Sequence, residues 1–246
     1  MRLQLLLKFL KRKKNATDLF NKIKGMVGTK PAVSNNFQSR KRDNGQFGRR
    51  LEEALGVKEN NSKKADVSCL DGDVELKTHN VKRTTAISIL SKEPDWNESE
   101  GFADIYETMM KYPSNSGEGV MKCNLRMTTT PNKKGLFLKI DEDDKQVKII
   151  DPNQVTICSW TFDALKEIFN DKIGDTVILV SHKDKVVVDA EMYLGGDFEN
   201  MKQMLKENTA VIEFRARGGT KKKNRGTVFR TSKKNFIKLF NGDVVV

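Results

Sequence analysis

Three charged side chains between residues 66 and 77 are spaced so that they can share one reaction. Asp66 opens a short apolar run, and Val74-Glu75-Leu76-Lys77-Thr78 alternates with a period of two. Asp71-Gly72-Asp73 between them is a turn signal, so the stretch predicts a β-hairpin. Side chains two apart on a strand point the same way, which puts Glu75 and Lys77 on one face and Leu76 toward a core. A hairpin returns Asp66 beside Glu75. Two carboxylates side by side repel unless a cation holds them. Hard oxygen ligands on a half-open site suit Mg²⁺, which keeps several waters and takes phosphate oxygens as its remaining ligands. An ammonium on the same face can position or deprotonate an attacking water and neutralise charge on a phosphate. These residue types point to metal-assisted phosphodiester hydrolysis, with Asp66 and Glu75 as metal ligands and Lys77 beside the water. The plain alternative is an exposed hairpin whose Glu75 and Lys77 are solvated surface charges.

The element just upstream must help to position that hairpin. Gly45 to Leu55 predicts a helix, with Phe47, Leu51 and Leu55 recurring every four residues as its buried stripe. Gly56 is a C-terminal stop. Glu52 lies one residue off the stripe, next to a second acid, Glu53. Taken together, Asn44 to Gly56, Asp66 and Val74-Glu75-Leu76-Lys77-Thr78 resemble the MutH type of endonuclease, in which a helix ending Leu-Glu-x-x-Leu-Gly precedes an Asp…Val-Glu-Leu-Lys-Thr hairpin. Arg225-Gly226-Thr227-Val228-Phe229 and Lys233-Lys234-Asn235-Phe236 are similar to the last strand and helix of that group. Asp66 and Glu75 are nine residues apart, slightly more than in MutH, so the turn here is longer.

Length, charge and the basic C-terminal block make the chain most similar to the MvaI/BcnI type of monomeric type II restriction endonuclease. That type belongs to the PD-(D/E)xK superfamily. The resemblance implies a mixed α/β, restriction-endonuclease-like core, its mixed sheet flanked by helices, with two lobes forming a DNA-binding cleft. It implies a monomer that uses Mg²⁺ and cuts both strands of double-stranded DNA at CC(A/T)GG. It also matches Glu52 to a helix glutamate near the metal, which adds Glu52 to the catalytic set of Asp66, Glu75 and Lys77.

Charge is segregated along the chain. Residues 1–50 hold 14 Lys/Arg against 2 Asp/Glu, residues 51–213 hold 21 against 30, and residues 214–242 hold ten basic residues and no acid. Basic ends around a carboxylate-rich middle suit a polyanion gripped on both sides of a metal site. The C-terminal block from Arg215 to Lys234 has glycines between its donors, as expected of an arm or loop that enters a groove. Arginines can contact guanine O6 and N7 with two hydrogen bonds, whereas Lys221-Lys222-Lys223 suit phosphate neutralisation. A carboxylate at Glu213, on the face of Arg215 and Arg217, could accept from cytosine N4 or orient an arginine. The candidate DNA contacts are therefore Glu213, Arg215, Arg217, Lys221, Lys222, Lys223, Arg225, Arg230 and Lys233. A generic phosphate-binding tract is the simpler reading of the same block.

The remaining chain is organised around alternating strands and short helices. Thr84 to Leu90 predicts a strand continuing the sheet of Glu75. Met121 to Thr130, Gly135 to Ile140 and Val147 to Ile150 predict an antiparallel meander, with the acids from Asp141 to Asp144 as a solvated turn. Thr176 to Val180 and Val186 to Ala190 predict a hairpin. Helices are expected over Asp104 to Lys111, Phe162 to Phe169, Phe198 to Glu207 and Lys234 to Phe240, and near Leu3 to Ile23. The expected division is a catalytic lobe over 1–95 with parts of 96–150, and a recognition lobe from about 151 to 246.

Cys69, Cys123 and Cys158 are odd in number and each lies in an apolar stretch, as expected of free thiols in a reducing cytoplasm. No run is apolar and long enough to span a membrane, and no Cys/His cluster has zinc spacing. Two other functions fit the composition. One is a MutH-like nicking or structure-specific repair nuclease; the other is a non-catalytic basic nucleic-acid-binding protein. The clustered carboxylates oppose the last, because acids on a DNA-facing surface repel DNA unless metal occupies them.

Overall fold

Parallel neighbours in a sheet need a long crossover between them, and that requirement shapes this chain. The structure is a computed structural model that describes residues 16–33, 46–57, 67–69, 72–82, 86–113, 122–218, 223–241 and 244–245. The chain divides into two units that interleave in sequence. The first comprises Met1–Ile87, Asn170–Asp197 and Phe240–Val246, and the second Ser88–Phe169 and Phe198–Leu239. The sequence expectation divides the chain into 1–95 with parts of 96–150 and about 151–246; in the structure the chain leaves the first unit and returns to it twice.

The first unit is built on a five-stranded mixed sheet. β1 (Val67–Cys69) runs antiparallel to β2 (Gly72–Asn80), with Val67 opposite Val74, Ser68 opposite Asp73 and Cys69 opposite Gly72. The expected hairpin is present, but Gly72 and Asp73 belong to its second strand, and only Leu70 and Asp71 connect the two. Those two residues and Asp66 lie outside the described residues. β2 then pairs in parallel with β9 (Thr176–Lys183), from Val74 opposite Thr176 to Asn80 opposite His182. β9 forms the expected hairpin with β10 (Val186–Leu194), which pairs at its far edge with β13 (Val244–Val245). β9 is buried from Thr176 to Ser181, as its unbroken run of branched apolar residues requires of a central strand covered on both faces. Ser88–Phe169, the longer of the second unit's two segments, lies between β2 and β9 in sequence, as content of the parallel crossover, and Phe198–Leu239 follows β10.

Two helices cover one face of this sheet. The described part of α1 spans 16–24, and α2 spans Gln46–Leu55. Ala16, Phe20 and Ile23 of α1 and Phe47 and Leu51 of α2 bury against Val74, Leu76, Ile178, Val180, Val187, Ala190 and Met192. Leu76 thus points to the core and Glu75 away from this layer, as the alternation predicts. α2 stops where expected: Gly56 has φ of +77°, its N–H donates to Glu53 O at 2.9 Å, and Val57 N–H donates to Glu52 O at 2.8 Å. That pattern closes the helix end with a left-handed residue that glycine adopts without a Cβ clash. The leucine-rich start, Leu3 to Leu10, lies outside the described residues.

The second unit contains two four-stranded sheets among the described residues. One has β3 (Ile87–Ser91) at its edge, followed by β12 (Lys223–Thr231), β11 (Ala210–Arg217) and β5 (Lys122–Met127). The other runs β4 (Asp95–Trp96), β8 (Thr156–Thr161), β7 (Gln146–Ile150) and β6 (Phe137–Asp141). The strand expected over Thr84 to Leu90 therefore starts and ends later and joins β12 rather than the sheet of Glu75. The expected meander is split likewise: β5 pairs with β11, and only β6 and β7 stay together, with β8 beside them. Alternation sets which face of a strand is buried but not which neighbour it takes. Trp160 stacks on Phe214 with ring centroids 6.3 Å apart and meets Phe229 edge-on at 5.4 Å, joining inward residues of both sheets. The helices are α3 (Ile105–Lys111), α4 (Phe162–Ile173), α5 (Phe198–Lys206) and α6 (Lys233–Phe236), the last continuing as a 3₁₀ turn over Ile237–Leu239. α4 is four residues longer than expected, and its C-terminal end enters the first unit. Among the described residues no helix is long and apolar enough to cross a membrane.

Candidate active site and basic sheet face

Glu75 is a carboxylate at the middle of a sheet and only 4% exposed. A buried charge is tolerated when it is paired and hydrogen-bonded. Lys77 Nζ donates to Glu75 Oε1 at 2.7 Å, the pairing expected from residues two apart on one strand. Lys172 Nζ donates to the other oxygen, Oε2, at 3.2 Å. Lys172 stands in the last turn of α4, four residues before Thr176 starts β9. Because Thr176 lies opposite Val74, the helix end arrives beside the carboxylate one residue further along β2. Sequence reasoning missed Lys172. Only the parallel pairing of β2 with β9, across some hundred residues, reveals it.

Among the described residues two ammoniums meet the Glu75 carboxylate, an arrangement with room for a further anion, either a second carboxylate or a phosphate. Asp66, proposed as that second carboxylate, lies outside the described residues. Among the described residues no three His, Cys, Asp or Glu side chains form a metal-holding group. The described donor is a single hard oxygen ligand already held by positive charge. That chemistry fits a hard cation sharing its coordination with water and phosphate, not a closed thiolate or imidazole cage.

Glu52 projects from α2 toward β2. Its Oε1 lies 3.8 Å, and Thr78 Oγ1 3.9 Å, from the point where a Cβ on Gly48 would stand. Thr78 alternates with Glu75 and Lys77 along β2, so Glu52 is met on the helix-covered side of the strand. Phe47 of α2 stacks on His182 with ring centroids 3.9 Å apart. Burial first, and then the neighbouring His79, pushes the His182 imidazole pKa down. His79 itself follows Glu75 and Lys77 on the same face of β2.

The described part of the C-terminal basic block is a strand pair; residues 219–222, which connect the two strands, lie outside the described residues. Arg215 and Arg217 lie on β11, and Lys223, Arg225 and Arg230 on β12. Lys223 sits in the ladder opposite Arg217; Lys221 and Lys222 lie outside the described residues. The ladder shifts register between Phe214–Thr227 and Ala216–Asn224, so Arg225 and Gly226 together oppose Arg215. Gly226 has φ of +81°, the mark of a bulge that bends the strand and redirects a side chain. Around this bulge Asn124, Glu213, Arg215, Ala216, Arg217, Arg225 and Arg230 line an open recess of about 390 Å³.

Within the recess, Arg230 Nη1 donates to Glu213 Oε2 at 2.7 Å, so Glu213 orients an arginine. Arg215 Nη2 donates to the Arg225 carbonyl at 3.3 Å. Burial, and then the charge of Arg230, lower the Arg215 pKa; Arg225 adds to this and Glu213 opposes it. The guanidinium remains charged. Lys233 begins α6 and is not among the residues lining the recess. Asn124 was missed in the sequence although Asn124 and Arg126 alternate with Leu125 and Met127. The missing information was that β5 pairs with β11, which sets Asn124 opposite Arg215 and Arg126 opposite Glu213.

The other acidic candidate, the turn at Asp141 to Asp144, is engaged by lysines. Lys139 and Lys148 hold Asp141 at 2.9 and 3.0 Å and, as its largest influence, draw its carboxyl well below the usual range. Lys148 also pairs with Asp144, and Lys202 and Lys206 with Glu142. These pairs tie the β6–β7 turn to α5. Cys158 is a buried free thiol, as its apolar stretch predicts, and burial raises its pKa well above the ordinary value.

Residues 30–240 match the model of the MvaI/BcnI restriction endonuclease family. Among solved structures the chain is similar to restriction endonuclease MvaI in complex with its cognate DNA substrate, with a TM-score of 0.71 at 16% identity over 94% of this chain and 97% of that one. It is also similar to MvaI in the absence of DNA, with a TM-score of 0.51 at 15% identity over the same shares. At these identities the likeness is one of fold. No curated protein matches the chain.

Proposed function

The chain belongs to the MvaI/BcnI restriction endonuclease family, and on that premise we propose that it cuts both strands of duplex DNA at CC(A/T)GG with Mg²⁺ held by Asp66 and Glu75. The family makes it a type II restriction enzyme, a site-specific deoxyribonuclease. The observation that carries the finer reading is the nearly buried Glu75 carboxylate with a lysine on each oxygen, on a strand whose other neighbour is β1.

In this reading Glu75 and Asp66 hold the ion. A divalent ion held by Asp66 and Glu75 would supply Lewis-acid chemistry toward the scissile phosphate and the attacking water. Lys77, fixed by its bond to Glu75 Oε1, orients the attacking water and stabilises charge that develops on the phosphate. Glu52, matched to the catalytic set by resemblance alone, lies on the helix-covered side of β2, across the strand from the face of Glu75 and Lys77. The recess of the second unit reads the duplex: Arg215, Arg217, Arg225 and Arg230 supply donors suited to guanine, with Arg230 set by Glu213. Lys221, Lys222, Lys223 and Lys233 neutralise phosphates. The enzyme acts as a monomer in the cytoplasm.

Asp66→Ala and Glu75→Ala test the metal assignment. In Mg²⁺ each should lower the cleavage rate on the order of a thousandfold or more, a loss of several kcal/mol of transition-state stabilisation. Binding of a cognate duplex, measured in Ca²⁺, should survive in both. A variant that cuts near the wild-type rate removes that carboxylate from the site.

A further inference from the structure

Glu75 carries a lysine ammonium on each of its two oxygens. Lys77 reaches Oε1 from two residues away on the same strand, a position fixed by the strand itself. Lys172 reaches Oε2 from the last turn of α4, ninety-seven positions along the chain, on a flexible four-carbon stem. Its bond is the longer of the two, 3.2 Å against 2.7 Å. The Lys172 side chain is 18% exposed, so the buried carboxylate is reached by an ammonium that retains some access to solvent. A divalent ion and an ammonium cannot share one carboxylate oxygen without strong like-charge repulsion.

We infer that Lys172 is a resident cation of the metal-free enzyme: it holds Glu75 Oε2 while no ion is bound and gives up that oxygen when a divalent ion occupies the site. This rests on the reading of Glu75 as a metal ligand. Two consequences follow. Without metal, Lys172 keeps a buried carboxylate paired and in one orientation, which a lone Lys77 bond to Oε1 does not ensure. With metal, its charge opposes ion binding until a DNA phosphate is present to take up the released ammonium. Lys172 therefore lowers the affinity for divalent ions in the absence of DNA and couples ion binding to DNA binding. It is a positioning residue for Glu75, distinct in role from Lys77.

The experiment is a calorimetric Ca²⁺ titration of the full chain, with and without a cognate duplex, for the wild type, Lys172→Met, Lys172→Gln and Lys172→Arg. Thermal melts of each are recorded with and without Ca²⁺. Both neutral variants should bind Ca²⁺ about tenfold more tightly than the wild type without DNA, and DNA should enhance that binding less. Lys172→Arg keeps the charge and should stay near the wild type. The metal-free neutral variants should melt lower than the wild type and gain more from Ca²⁺. Equal or weaker Ca²⁺ binding by both neutral variants, with the wild type binding normally, overturns the role of Lys172. Failure of every protein to bind Ca²⁺, even on cognate DNA, overturns the metal assignment of Glu75 and this inference with it.

Discussion

Lys77 is two residues from Glu75 on an uninterrupted strand, so its ammonium reaches Oε1 without help from any loop. That simplicity makes it the sharpest residue-scale test of the chemistry. Lys77→Ala should lose most of the cleavage rate while cognate binding in Ca²⁺ changes little, because the ammonium acts on charge that appears in the transition state. Lys77→Arg should not restore the rate, since a guanidinium is larger and does not release a proton. Single-turnover cleavage in Mg²⁺ measures both, and full activity in either variant would make Lys77 a plain partner of Glu75. At this scale the sequence was most informative where residues meet through local geometry. Glu75 and Lys77 share a face because strands alternate, and Leu76 is buried for the same reason. Glu213 also met an arginine, Arg230, on the neighbouring strand. Lys172 and Asn124 were invisible because each reaches its place through a strand pairing that no local pattern encodes.

Among the described residues, strands carry the basic face. The glycines between Arg215 and Lys234 read as flexibility in the sequence; in the structure Gly226 is a fixed bulge that sets Arg225 against Arg215. Gly226 has a φ that side chains adopt poorly, and Ser91 Oγ lies 3.4 Å from where its Cβ would stand. Gly226→Ala should cost about 1–2 kcal/mol of stability and shift Arg225 out of the recess. Discrimination between a CC(A/T)GG duplex and a scrambled one, measured as affinity in Ca²⁺, should fall with it. Gly56→Ala is the control: it forces a side chain into a similar φ, at the end of α2, with a comparable stability cost. If both variants lose discrimination equally, the bulge has no special part in reading DNA. The helix stop at Gly56 and the strand hairpin around residue 71 were legible because glycine and period-two alternation act locally. The sheet to which residues 87–91 belong was not, since an edge strand with one buried face suits any sheet that offers a partner.

At the scale of the whole molecule, the fold class followed from the helix–hairpin motif near residues 44–78, and the interleaving of units did not. A chain that pairs β2 with a parallel β9 must send its intervening residues elsewhere, and here they form most of a second unit. Charge segregation anticipated a protein that grips a polyanion, and the two basic features described, the Lys77–Lys172 pair and the arginine recess, fall in different units. One sets two ammoniums on a buried carboxylate; the other gathers arginines around a strand bulge. Their combination in one chain is what site-specific cleavage requires. The most direct test is to digest DNA containing both CC(A/T)GG and CC(C/G)GG with the purified chain in Mg²⁺, beside its Glu75→Ala variant, and to map every cut end. Double-strand breaks at each CC(A/T)GG, none at CC(C/G)GG and none from the variant are the expected result. Nicks alone, breaks at other sequences, or undiminished cutting by Glu75→Ala would contradict it.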